Sequence, residues 1–318
     1  MKLKVAAIAG AVFACGLHGV VDQAWIRALT DGAEAKLIFH IVDQDGNPVP
    51  DAHVRCGFWR NYSGGGPLGF DLTTDKNGIC AAKGTCTGPV AWTVAKDGYY
   101  NSSGEWKLSE TKSKPKVSGG KWQPYGSTRT IVLKKIENPV PMADSIRSKY
   151  SRIPAFGKWI GYDMQERCWV EPWGDGRHAD MLLKFENGDN TAGRYFRSME
   201  VSFTNNPYAG GYVLDKDGYS QFESVYHADT NASYASSFLF TCRRPLKDRP
   251  LVINNLGKDQ YMVFRTRTKV DYDGRLISAH YGKLYGEWKF FEKNNMAIGR
   301  VVLNPTPNDT NLEVGQKR

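Results

Sequence analysis

No stretch of this 318-residue chain approaches the roughly 20 consecutive apolar residues that a membrane-spanning helix requires. The longest apolar run is Val5 to Ala14, at the N-terminus. There is no C-x-x-C, which removes the usual zinc knuckle and dithiol redox site. There is also no H-E-x-x-H and no G-x-S-x-G, so neither a zincin helix nor a nucleophile elbow is encoded. The Gly-rich stretch Asn61 to Pro67 has no G-K-[ST] and reads as a turn, not a phosphate cradle. Neither heptads nor a βαβ rhythm are seen. The net charge of +9 is spread along the chain, about +1 before residue 34, +4 over 34–140 and +4 thereafter. Such dilution argues against nucleic-acid binding, which needs a concentrated basic face.

What is present reads as strands. From Lys36 to Val140, short alternating or apolar runs are punctuated by Asp-Gly and Asn-Gly pairs, the strongest local signal for strands joined by tight turns. Strands are predicted at 36–43, 52–59, 68–73, 78–82, 89–96 and 127–136, with a weaker one near 104–108. Glu137-Asn138-Pro139-Val140-Pro141 places two prolines in three residues and predicts a boundary. A helix is expected at 142–150, then a second strand-rich module. Its clearest element is the pair 260–271 and 275–290 around Tyr272-Asp273-Gly274. Val263, Arg265, Arg267 and Lys269 alternate there with Phe264, Thr266, Thr268 and Val270, the pattern of a half-exposed antiparallel strand. Further strands are expected at 179–186, 194–204, 237–242 and 295–303. The fold class is therefore all-β: an N-terminal β-sandwich over 35–136, a Pro-rich linker over 137–154, a mainly antiparallel domain over 155–304 and a C-terminal tail over 305–318.

The basic start Met1-Lys2-Leu3-Lys4 followed by the apolar run predicts an export signal within residues 1–24 and an arm at 25–34. Val12-Phe13-Ala14-Cys15 is similar to a bacterial lipoprotein processing site, which makes Cys15 a candidate for lipidation beside ordinary cleavage between Ala14 and Ala24. In an oxidising compartment Cys80 and Cys86 can staple a hairpin, and Cys168 and Cys242 can tie strands of the second module. That leaves Cys56 alone, or paired with Cys80 while Cys86 stays free.

The first module resembles the carboxypeptidase regulatory-like family, a transthyretin-like or immunoglobulin-like β-sandwich. The residues that carry the resemblance are Val42-Asp43-Gln44-Asp45-Gly46-Asn47-Pro48-Val49-Pro50-Asp51-Ala52, Thr74-Asp75-Lys76-Asn77-Gly78 and Val94-Ala95-Lys96-Asp97-Gly98-Tyr99. The second module looks like the C-terminal part of bacterial envelope proteins that carry such a first domain, through Trp169-Val170-Glu171-Pro172-Trp173-Gly174, Ala279-His280-Tyr281-Gly282-Lys283-Leu284 and Leu303-Asn304-Pro305. The resemblance implies an exported, cell-surface or periplasmic bacterial protein and brings no activity with it.

The chemistry-bearing residues also have plain structural readings. His178 with Asp175 and Asp180 is the nearest approach to a metal or acid–base cluster, but Gly174-Asp175-Gly176 also reads as a turn. No catalytic residue, metal ligand or cofactor is expected. Trp159, Trp169, Trp173, Tyr208 and Tyr212 are the candidate contact residues, able to stack on a sugar ring or anchor a partner if exposed. The expectation is a non-catalytic structural or adhesive envelope protein, self-associating through sheet edges and terminal arms or pairing with another envelope protein. The alternatives are a carbohydrate-binding accessory protein, whose partner would be a glycan, and an unrecognised hydrolase. Membrane contact is expected only through a lipid anchor.

Overall fold

The computed structural model describes residues 22–60, 66–144, 149–188, 194–205, 208–245, 247–290 and 295–315. The export signal and Cys15 lie outside the described residues. The chain divides into two units, the first running to Lys135 with Tyr219–Gln221 added, the second from Ile136 onward without that tripeptide. Nearly every element in both is a strand.

The first unit opens with helix α1 (Gln23–Thr30), where the Asp22 carboxylate accepts from the Ala24 and Trp25 amides and so caps the free N–H groups. Ala28 is buried, and Trp25 and Leu29 pack on the core of this unit. Nine strands follow: β1 (Ala33–Asp43), β2 (His53–Phe58), β3 (Leu68–Thr73), β4 (Ile79–Cys86), β5 (Pro89–Ala95), β6 (Ser102–Lys107), β7 (Val117–Ser118), β8 (Lys121–Trp122) and β9 (Ser127–Leu133). One sheet is ordered β4-β1-β8-β7, with β9 parallel to β1; the other is ordered β3-β2-β5-β6. Alternation decides what meets between them. Ala35, Leu37, Phe39 and Ile41 of β1, Val54, Cys56 and Phe58 of β2, and Val90, Trp92 and Val94 of β5 are all buried in one cluster.

The turns share one device. Asp43 accepts from the Asp45 and Asn47 amides, Asp75 from Asn77 and Ile79, and in the second unit Asp271 from Asp273 and Arg275. Each closes a loop that ends on a glycine or runs through one. Gly78 is irreplaceable at its turn: its φ is +70°, and a Cβ there would lie 2.3 Å from the Ile41 carbonyl oxygen. Asp43 is also held by Lys135 Nζ at 2.9 Å. The lysine, with the Asn47 and Asp45 amides, overcomes the effect of burial and draws this carboxyl down to about 2. A carboxyl depressed in the folded state stabilises above its ordinary value near 3.8 and loses that contribution as pH falls through about 2. Asp43→Asn is therefore expected to be less stable at neutral pH and to show a flatter fall in urea midpoint between about pH 4 and pH 2.

The second unit holds β10 (Ala143–Asp144), β11 (Lys149–Arg152), β12 (Trp159–Asp163), β13 (Cys168–Trp169), β14 (Met181–Asn187), β15 (Tyr195–Phe203), β16 (Gly210–Asp215), β17 (Ser237–Arg244), β18 (Val252–Asn254), β19 (Gln260–Val270), β20 (Leu276–Tyr285), β21 (Asn295–Ile298) and β22 (Arg300–Leu303). A six-stranded sheet is ordered β13-β12-β14-β15-β17-β18, a five-stranded sheet β10-β22-β20-β19-β16, and β11 pairs β21. The main core draws Met181, Leu183, Phe185, Met199 and Val201 from the first sheet and Met262, Phe264, Leu284 and Val301 from the second. The other face of the five-stranded sheet is covered too, since Tyr261, Val263, Ala279 and Tyr281 cluster with Ala228 and Leu312.

Three expectations are corrected here. Residues 142–150 are not a helix: Ala143–Asp144 and Lys149–Arg152 are strands, and 145–148 lie outside the described residues. The segment 304–313 is no loose tail, because Asn304, Asn311, Leu312 and Glu313 are all buried. Asn304 donates to Asp309 and to the Asn311 carbonyl, and the Glu313 carboxylate accepts from the Glu137 and Asn138 amides. Both disulfides fail on geometry. Cys80 and Cys86 are six residues apart on β4, about 20 Å along a strand. Cys168 on β13 and Cys242 on β17 are separated by three intervening strands, about 19 Å. A disulfide needs Cα atoms within about 7 Å, and all five described cysteines are free thiols.

Candidate functional site

A polar concavity of the second unit forms where strand β19 departs from regular pairing. Thr266 pairs with His280 and Lys269 with Ser278, so Arg267 and Thr268 together oppose Ala279. This is a β-bulge, and Arg267 takes the left-handed conformation at φ +52°. The irregularity breaks the alternation along the strand. Regular pleating would turn Thr266 and Arg267 to opposite faces; instead both reach Asp180, Thr266 Oγ1 at 3.0 Å and Arg267 Nε at 3.0 Å.

Beneath lies a fully satisfied ion cluster. Asp163 accepts from the Gln165, Glu166, Arg177 and His178 amides and from Arg267 Nη2. Asp180 accepts from the Met164 amide as well as from Thr266 and Arg267. Burial works to raise the Asp163 carboxyl, but the amide hydrogen bonds and Arg267 outweigh it and hold it below its usual range. For Arg267, burial works the other way, and Asp180 and Asp163 more than restore its charge. The strained arginine is thus over-determined by its partners, as such a backbone must be.

A cleft of about 720 Å³ opens above this cluster, lined among others by Arg177, His178, Asn205, Thr268, Ser278 and His280, with Lys269 at its rim. The orientation of its polar groups is set by the fold. His280 Nδ1 lies 3.1 Å from the Asn304 carbonyl oxygen, which can only accept. The proton of the neutral ring therefore sits on Nδ1, and Nε2 keeps a lone pair. Asn205 Nδ2 donates to Thr268 Oγ1 at 2.6 Å and to its carbonyl at 2.7 Å, leaving the Thr268 hydroxyl proton to donate elsewhere. Arg177 and Lys269 are exposed, and both contribute cationic heads. The cleft therefore offers a proton acceptor, hydroxyl donors and two cations. Among the described residues no group of three or more His, Cys, Asp or Glu is placed to hold a metal ion.

The sequence candidates are scattered relative to this site. Asp180 forms its base and His178 its wall, whereas Asp175 is exposed and does not line it. Trp169 is a core residue, 6% exposed, its Nε1 donating to the Arg152 carbonyl and its ring edge-on to Tyr162. It is no contact residue. Tyr212 is half-buried, accepting from the Asp229 amide and meeting Tyr234 edge-on, and the half-buried Tyr208 gives its carbonyl to Arg265. Trp159 and Trp173 are exposed at 44% and 45%. In the sequence His280, Thr268 and Arg267 are simply members of alternating strands. The signal that could have found them is the run R-T-R-T-K, too polar for a strand buried on both faces.

No family model matches the chain, and no curated protein matches it. Solved structures do match in part. The 3-chlorocatechol 1,2-dioxygenase of Rhodococcus opacus 1CP is 15% identical, with 33% of this chain and 61% of that one covered and a TM-score of 0.27. The chlorocatechol 1,2-dioxygenase of Pseudomonas putida is 13% identical over 33% of this chain and 61% of its own, with a TM-score of 0.27. The hydroxyquinol 1,2-dioxygenase of Pseudomonas putida DLL-E4 is 15% identical over 34% and 58%, with a TM-score of 0.25. The chain thus spans between 53% and 61% of the length of such structures. The expectation of a non-catalytic envelope protein is corrected at this point, because the solved proteins that match are enzymes. A TM-score of this size carries no reaction across to this chain. Among the described residues no helix is long and apolar enough to cross a membrane.

Proposed function

We propose that the second unit binds a small hydroxylated organic anion, such as a sugar acid or sugar phosphate, in the cleft above the Arg267 bulge. The observation that carries this reading is the pairing of His280 Nδ1 with the Asn304 carbonyl, which leaves the neutral ring a lone pair on Nε2, in a residue that lines the cleft together with Arg177 and Lys269. A lone-pair nitrogen selects a hydroxyl donor, and Arg177 and Lys269 select a negative charge. A neutral Nε2 would also be able to take a proton from a hydroxyl that donates to it, so the reading includes proton transfer as well as binding. The basic start and apolar run at Lys2–Ala14 support an exported protein, which would meet such ligands outside the cytoplasm.

Calorimetric titration with glucuronate, gluconate and glucose 6-phosphate tests the reading, with glucose and sulfate as partial mimics that each lack one feature. At least one of the three full ligands is expected to bind, and both mimics to bind more weakly by roughly tenfold or more. His280→Gln is expected to weaken binding roughly five- to tenfold, and Lys269→Ala roughly tenfold or more. Arg177→Ala keeps the backbone amide that serves Asp163 and should weaken binding without unfolding. Absence of binding by all three, or equal binding by sulfate alone, would remove the proposal.

A further inference from the structure

We propose that the β17–β18 margin of the six-stranded sheet docks on a bilayer surface that carries anionic lipid. Charge is diluted along the chain as a whole, but this hairpin gathers it. Between Arg243 and Ile253, Arg243, Arg244, Lys247 and Arg249 stand against Asp248 alone, a net of +3 in eleven residues of a chain whose whole charge is +9. All four cations are exposed, and among the described residues none of them makes an ion pair. Apolar side chains share the same margin. Leu251-Val252-Ile253 is the longest run of exposed large hydrophobic residues among the described residues. It ends on β18, the outermost strand of its sheet. Register sets Arg243 between Phe196 of β15 and Val252 of β18 in one cross-strand row. Because β17 turns Phe240 and Cys242 inward, where both are buried, this row and Leu239 face outward. Phe196 and Leu239 are exposed too, and Glu200, opposite Leu239, bounds the patch.

Charge at a sheet margin ordinarily keeps a strand from pairing with a neighbour. That role gives no reason to hold Leu251, Val252 and Ile253 in water beside the charge. A bilayer surface accounts for both. Lipid phosphates meet the guanidinium and ammonium heads, while the aliphatic side chains and Phe196 settle between the headgroups. An acidic polysaccharide or a nucleic acid would satisfy the cations and leave the aliphatic residues wet, so the apolar half of the surface selects a bilayer. Pro245 and Pro250 bracket the tip, and their fixed φ reduces the freedom lost on docking. Each cation brought to an anionic bilayer strengthens partitioning by about fivefold. The contact is made by folded residues, independently of a lipid on Cys15 and of the cleft above Arg267.

The test follows hydrogen exchange of the full chain by mass spectrometry, with vesicles of phosphatidylcholine containing about one third phosphatidylglycerol and with vesicles of phosphatidylcholine alone. The readout is local, so an N-terminal apolar run that enters the bilayer by itself is not mistaken for the hairpin. The expected result is slower exchange over 243–254 with the anionic vesicles only, diminishing as salt is raised. The slowing should fall by roughly fivefold in Arg243→Gln and in Arg244→Gln. It should fall by roughly tenfold or more when Leu251→Ser and Val252→Ser are combined. All four side chains are exposed, and an unchanged urea midpoint checks that the variants fold. Unchanged exchange over 243–254 with anionic vesicles, or equal slowing with phosphatidylcholine alone, would overturn the proposal. So would slowing by heparin as strong as by vesicles, or slowing that survives loss of the aliphatic pair.

Discussion

Replacing Arg267 with alanine is expected to destabilise the second unit by about 3–5 kcal/mol, because it strands two buried carboxylates that share one cation. Asp163 and Asp180 are essentially inaccessible to solvent, and Arg267 is the positive group that both touch. For a protein of this size such a loss should lower the thermal midpoint by about 10 °C or more. The pH dependence gives the mechanism a signature. In the native chain Asp163 ionises below its usual range, so its contribution is present above the ordinary carboxylate value and is lost as acid reaches the folded value. In the variant the carboxylates have lost their cation, and protonation relieves part of the damage. The gap in urea midpoint between the two proteins should therefore narrow below about pH 4. A gap that stays constant with pH would show that the arginine acts by packing and not by charge.

Phe264→Ala should cost about as much, roughly 3–5 kcal/mol, by a different route. Its ring is fully buried between the two large sheets of the second unit, tilted against Phe203 at 6.4 Å. It also covers Gly282, where a Cβ would lie 2.4 Å from the ring, so the glycine and the phenylalanine fill one volume together. Truncation leaves a cavity that the β20 backbone cannot close. Unlike the arginine variant, this one should lose the same stability at every pH. Tyr272→Ala is the control, since that side chain stands entirely in solvent at the tip of the β19–β20 turn, and it should change stability by less than about 0.5 kcal/mol. Chemical unfolding with a fixed slope separates these outcomes.

The contrast between these positions shows how far the sequence could be read. Alternation and Asp-Gly turns made the strands legible, and β1, β2, β3 and β5 fall within two or three residues of where the pattern put them. Two things were hidden because they are tertiary. The polar face of β19 looked like a solvent face, yet Arg265 stacks on Tyr234 at 4.2 Å and Val263 is fully buried, since the returning chain near Leu312 covers that side. Nothing in N-P-T-P-N-D-T-N-L-E announces such a role; it depends on Asx hydrogen bonds among Asn304, Asp309 and Asn311. The bulge was hidden too, because a single residue entering the left-handed region leaves no trace in a period of two. That one dihedral moves Arg267 onto Asp180 and opens the cleft. His178 and Asp180 stand out in the sequence as polar residues near each other, but the arginine that binds Asp180 lies 87 residues further on.

The most direct test of the ligand-binding reading is the nitrogen spectrum of the His280 ring, recorded by long-range proton–nitrogen NMR with and without glucuronate, gluconate or glucose 6-phosphate. A ring protonated at Nδ1 is expected in the free protein at alkaline pH, with a change at Nε2 on adding a ligand that binds, and a much smaller one with glucose or sulfate at the same concentration. A ring protonated at Nε2, or an Nε2 resonance that none of the three ligands moves, would contradict it.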